Sequence, residues 1–327
     1  MMKPVCCLLL ALTVFGRQPV MSQKPMLVAV EEYSAQVAVY DLTTRKKVGE
    51  VAVGFKPHEV AVDRETRRCF VTNFGLEDYY NRDGVPGSTI SVVDLNTFKE
   101  ITRIYTSQDS IHCKAPHGIK IRPGKRELFT NTEAEDTMLV FDLTSFKLKR
   151  KFAIPHGTHN FRFTTSGDSL WLMAGKNGIY HFDPETGSER KHIILPSTIR
   201  GLVLHNTKIV ASLINEIYII DPYTSAPPVS IKNLGVGQII YSGITEDGKY
   251  VFAPYPNDSV VVMVDVKKGI PVKRFKTGHS PTNIVTYKGL AYVSNTEDKY
   301  ISIIDIAKQK IVGTLPADGA NGLEIIE

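Results

Sequence analysis

Three histidines stand in related short contexts, Pro57-His58-Glu59, Pro116-His117-Gly118 and Thr158-His159-Asn160. Imidazole suits Zn, Cu, Ni or Fe, so His58, His117 and His159 meeting at one point would make a divalent transition-metal site, with Glu59 adding an oxygen. An imidazole that titrates near neutrality can also act as a general base. His117 or His159 beside Arg200 would then be the catalytic set of a lyase or lactonase working on a sugar acid or lactone. Each histidine has a plainer use as well, because a ring can simply bond a neighbouring strand or a channel water. The choice depends on the elements that carry the three rings.

Those elements repeat. An alternating apolar strand ending in aspartate occurs seven times, from Val39-Tyr40-Asp41 through Val92-Val93-Asp94 to Ile303-Ile304-Asp305, at intervals of 38 to 53 residues. Self-similarity at such a period fixes the architecture before any single residue does. The seven aspartates precede turn residues such as Thr43-Thr44 and Pro222-Tyr223. An aspartate entering a turn bonds the backbone two residues ahead, so the ladder is read as hairpin caps and not as an acidic site. A second strand precedes each capped one, as Leu128 to Asn131 does, and a third follows, as Lys149 to Ile154 does. The fourth begins with the polar head that carries a histidine in three repeats.

Four-stranded units of about 40 residues are the mark of an all-β propeller, whose blades stand around a channel. The expectation is a seven-bladed β-propeller with four antiparallel strands per blade over residues 23–327. The first repeat lacks its polar-headed strand and the chain ends with a lone one, Gly322 to Ile326, so the C-terminal strand should complete the first blade. Such closure removes an exposed edge.

Phe70-Val71-Thr72-Asn73 with Ile90-Ser91-Val92-Val93-Asp94, and Tyr292-Val293-Ser294-Asn295 with Ile301-Ser302-Ile303-Ile304-Asp305, resemble the tyrosine-valine-threonine-asparagine (YVTN) repeat of bacterial YncE-like propellers. The heads at 57 to 59 and 116 to 118 are similar to that family's inner-strand starts. The resemblance covers nearly all of the chain past the leader. It implies a fold, and it permits an envelope or redox partner on the underside, but propellers serve unrelated roles. Trp171-Leu172-Met173-Ala174 and Val210-Ala211-Ser212-Leu213, in blades four and five, depart from the repeat, so the strand boundaries there are the least marked.

In that architecture the polar heads encircle one mouth of the channel. They are His58, His117, His159, Arg200, Ser242, Thr282 and Asn321, and with Glu59 they form the candidate ligand-binding set. Loops between the second and third strands open on the same face. The longest, Asn73 to Ser88, carries Glu77, Asp78, Tyr79, Tyr80, Arg82 and Asp83. Loops that exceed their neighbours on a repeat scaffold mark a working face. Acidic residues dominate these loops, whereas Arg45-Lys46-Lys47, Lys149-Arg150-Lys151 and Lys273-Arg274 belong to the opposite side. An acidic rim repels phosphates, so nucleic acid is not expected at the mouth. Tyr241, Tyr255 and Tyr287 are read as blade packing.

Two readings therefore stand together: a binding module for a small polar or cationic ligand or a protein partner, and a carbohydrate- or lactone-active enzyme with a histidine base and possible divalent metal. Composition fits either. The chain has 327 residues, 43% hydrophobic and 22% charged, with a net charge of +5, which excludes disorder and gives no sign of a nucleic-acid binder. Lys3 followed by an apolar run from Val5 to Phe15 reads as a secretory signal peptide over residues 1–22, too short to span a bilayer. A periplasmic or secreted monomer without an integral membrane segment is expected. Cys6 and Cys7 would leave with the leader, and Cys69 and Cys113 are read as unpaired thiols.

Overall fold

The computed structural model describes residues 24–78, 83–107 and 114–327. The expected leader segment, Cys113 and part of the long mouth loop lie outside them. Seven four-stranded antiparallel sheets follow one another along the chain. Their inner strands touch in succession, and the last, Pro281–Tyr287, meets Ala320–Ile326, so the ring is closed. The expected fold is the observed one.

The closing strand does what the sequence required. Ala320–Ile326 pairs antiparallel with Met26–Glu31, aligning Ile326 with Met26 and Leu323 with Ala29. Gln36–Asp41 and Lys46–Ala52 complete this first blade, which is built from both ends of the chain.

Patterning explains the layers. Second and third strands such as Met26–Glu31 and Gln36–Asp41 are buried almost throughout, because each sheet is covered on both faces by neighbouring blades. Their Val, Ile, Leu and Phe fill the wedges between sheets. One cluster joins Val28 and Val39 to Val60, Cys69 and Val71, binding blade one to blade two. Phe70 and Val92 pack on Leu128 and Leu139 in the same way. Outer strands such as Lys46–Ala52 are largely exposed and charged. Burial pushes the Cys69 thiol up to about 12, so it is an inert core residue.

The aspartate ladder has the expected role. Asp41 Oδ1 accepts from the backbone N–H groups of Thr43 and Thr44 at 2.8 and 3.0 Å. Asp94, Asp142, Asp183, Asp221, Asp265 and Asp305 bond the following turn likewise.

Irregularity extends beyond blades four and five. The outer strand of blade five is only Val229–Ile231, and the inner strand of blade six shrinks to Gly243–Ile244. A Cβ at Gly243 would sit 2.8 Å from Ile284 of the next blade, so the chain runs too close there for a side chain. No helix among the described residues is long and apolar enough to cross a membrane.

Candidate functional site

A bulge in the inner strands aims the histidines. Pro57 aligns with Asn73 and Val60 with Val71, leaving one residue more on the inner strand than on its partner. The same shift occurs between Pro116 and Ile119. A bulge breaks the two-residue alternation and re-aims side chains. The repeat residues Thr72 and Asn131 hold it in place. Thr72 Oγ1 receives the Glu59 N–H at 3.1 Å and donates to the His117 carbonyl of the next blade at 2.9 Å. Asn131 Oδ1 accepts the Gly118 N–H, and its Nδ2 donates to the Thr158 carbonyl beside His159.

Three imidazoles converge at the mouth: His58 and His117 from the bulged strands, and His159 from just before the regular strand Asn160–Phe163. The ring centroids of His58 and His117 are 4.3 Å apart, and those of His117 and His159 4.0 Å. Phe74 packs edge-on against His117 at 5.1 Å, and Tyr241 stacks on His159 at 5.6 Å. These side chains, with Glu133, Arg200, Thr282, His156 and Asp136, line a cavity of about 350 Å³ at the mouth.

Glu133 is the carboxylate of this group. Its Oε1 lies 2.6 Å from His159 Nδ1 and 3.9 Å from His117 Nε2. Donor atoms of His117, Glu133 and His159 all fall within 4.8 Å of one another. Glu133 lies in one of the acidic loops of the mouth face, yet it is only 6% exposed. His58, expected in the metal set, shares the ring cluster but stands outside that donor group. Its Nδ1 lies 2.8 Å from the Asn321 side-chain amide and 3.8 Å from Glu32 Oε2.

Glu59 and Ser242 are not brought to the imidazoles. Glu59 accepts a 3.1 Å bond from Asn160 and lines a second cavity further down the channel with Arg64, Lys120 and Arg162. Ser242 lies in that lower cavity, its hydroxyl 2.6 Å from that of Ser212. The physical reason is strand alternation: successive side chains point to opposite sides, so His58 lines the mouth cavity while Glu59 lines the lower one. Tyr241 borders both cavities and separates them. Arg200 and Thr282 border the upper cavity as expected, and Asn321 joins it through His58.

Tyr241 packs in a core cluster with Trp171, Met173 and Leu202, as expected, and it also lines both cavities. Its φ of +29° is rare for a bulky side chain. Its hydroxyl is buried without a hydrogen-bond partner, as is His117 Nδ1. Unpaired buried polar atoms cost about 1–3 kcal/mol each. Such outliers concentrate at ligand sites.

The three rings are pushed in different directions. Burial holds His117 well below the ordinary imidazole value, helped by its histidine neighbours and Arg200. Burial and then Arg200 lower His159, against the pull of Glu133. Burial also presses on His58, but Glu32, Glu59 and Glu133 outweigh it and leave His58 raised. Two opposite pH effects follow. The unfolded chain protonates near pH 6.5. His117 and His159 thus contribute stability present above that pH and lost on acidification, whereas the His58 contribution is present below it and lost as pH rises. In an NMR titration of the ring 13Cε1 signals, His58 should hold its proton to the highest pH of the three and His117 should stay neutral in mildly acidic buffer. Coincident titration near 6.5 would mean that the rings are solvated and apart.

Fold and site together define a seven-bladed β-propeller with a histidine-lined mouth. The chain is similar in structure to Kuenenia stuttgartiensis hydrazine synthase, with a TM-score of 0.72, 18% identity, and coverage of 84% of this chain and 90% of that one. It is also similar to a functionally unknown protein from Desulfotomaculum acetoxidans DSM 771, with a TM-score of 0.71, 14% identity, and coverage of 93% and 99%. Dihydro-heme d1 dehydrogenase NirN in complex with DHE gives a TM-score of 0.63 at 12% identity, over 91% of this chain and 74% of that one. At these identities the likeness is one of fold. No family model matches the chain, and no curated protein matches it.

Proposed function

We propose that the protein is an exported propeller of the YncE-like kind that captures a small polar ligand in the mouth formed by His58, His117, His159, Glu133, Arg200 and Tyr241. The observation that carries this reading is the convergence of buried, incompletely bonded polar groups on one cavity of about 350 Å³. A ligand supplying hydrogen-bond partners there removes a cost the empty fold bears. The leader-like start of the sequence supports a periplasmic or secreted location, and the acidic mouth loops favour small molecules or an envelope protein over nucleic acid.

The test is a thermal-shift screen of carboxylates, sugars and amines in buffer containing EDTA, on wild type and a His159→Ala variant. At about 100 times its dissociation constant a ligand adds about 2.7 kcal/mol, a rise of several degrees. At least one class should raise the wild-type midpoint and leave the variant unmoved. Equal shifts in both, or none in either, would refute the mouth as the site.

A second reading has its own observation. The 2.6 Å contact of His159 Nδ1 with Glu133 fixes one ring nitrogen and orients the other, as a general base requires. If the protein is a lyase or lactonase, hydrolysis of a lactone or elimination from a uronate should vanish in His159→Ala.

A further inference from the structure

We propose that His117, His159 and Glu133 hold a divalent transition-metal ion, with a coordination position left open to the mouth cavity. This rests on the reading of the mouth as a ligand site and names what sits at its base. Two imidazoles and one carboxylate are a borderline donor set, suited to Zn, Cu, Ni, Co or Fe and poorly suited to Mg or Ca.

The geometry is near what coordination needs. Ligand atoms at about 2.1 Å from a tetrahedral metal lie about 3.4 Å from one another. Glu133 Oε1 is 2.6 Å from His159 Nδ1 and 3.9 Å from His117 Nε2, values on either side of that separation. No donor pair exceeds 4.8 Å, so small side-chain rotations bring all three into range. The metal would take the place of the proton shared between His159 and Glu133.

Burial supplies the second, independent observation. His117 is 1% exposed, so an ion at its Nε2 would be held largely out of bulk water. Phe74 and the His58 ring pack against it, and Tyr241 closes the side below His159, so the group sits in a shaped, partly dry recess. Three protein ligands with a free position facing a cavity are the arrangement of sites that bind or transform a small molecule, as opposed to closed structural sites with four. The open position faces the cavity that Arg200 also lines.

Metal-free protein, prepared by dialysis against EDTA and then freed of chelator, should be titrated with Zn²⁺ by calorimetry and with Co²⁺ by visible absorption. The expected result is one ion per chain at micromolar or lower dissociation constant, unaffected by excess Mg²⁺, with d–d bands of a low-symmetry cobalt centre. His117→Ala, His159→Ala and Glu133→Gln should each weaken binding about 100-fold or more while still melting cooperatively. His192→Ala, on an exposed outer strand, should bind as wild type does. Absence of wild-type binding, or equal binding by wild type and the three variants, overturns the proposal. If metal fails while an organic molecule still stabilises wild type in EDTA and not His159→Ala, the metal falls and the mouth site stands. If both fail, both readings fall.

Discussion

Removing residues 320–327 should abolish folding. The seven-residue strand is not a tail but the inner strand of the first blade, hydrogen-bonded to Met26–Glu31. Ala320, Leu323 and Ile326 are buried, and Leu323 belongs to the cluster that links blade one to Tyr292 and Ile303 of blade seven. Without it the edge of Met26–Glu31 would be open and the ring would lose its closure. The same strand brings Asn321 to His58 and Glu32, so the mouth would lose that tie as well. A milder version keeps the experiment readable. Leu323→Ala together with Ile326→Ala should cost about 4–10 kcal/mol if each behaves as a typical core truncation of 2–5 kcal/mol. Calorimetry or circular dichroism will show it: a truncated chain that melts cooperatively at the wild-type temperature would mean that the ring does not depend on this strand.

Glu133→Ala is expected to have the largest effect on the mouth itself. One carboxylate oxygen lies within reach of two imidazoles, and all three groups are largely buried. Bonds of this kind to a charged group are worth about 1.5–3 kcal/mol, and their loss leaves His159 Nδ1 without its partner. Ligand-induced stabilisation seen in wild type should disappear. The His159 pKa should fall further, since Glu133 is what pulls it upward against burial and Arg200. The NMR titration reads this shift directly. A His159 signal that titrates as in wild type would show that the carboxylate does not govern the ring.

Much of this was legible in the sequence, for reasons that can be traced. The aspartate ladder recurs because each hairpin needs the same turn cap, and a repeated local need leaves a repeated residue. The missing strand at the start and the spare one at the end followed from counting polar heads. His58, His117, His159, Arg200, Thr282 and Asn321 could be grouped because equivalent positions of a ring must face one channel. Glu133 could not be singled out, because it follows the strand Glu127–Thr132 in a loop full of acids, and its contacts with His117 and His159 appear only in the fold. Glu59 is not paired with the histidines because successive strand residues point apart, so Glu59 lines the lower cavity while His58 stays at the mouth. Tyr241 packs in the core as read, but its stacking on His159 could not be foreseen, because nothing in the residue type announces its positive φ.

The whole account depends on imidazoles from three successive blades sharing one small space. Nuclear Overhauser contacts among histidine ring protons, in protein deuterated except at histidine and phenylalanine, test that most directly. Cross-peaks linking His117 to His58, His159 and Phe74 are the predicted result, from ring separations of 4.3, 4.0 and 5.1 Å. Three histidine signals without mutual contacts would show a wide mouth with isolated rings and would contradict both the ligand site and the metal within it.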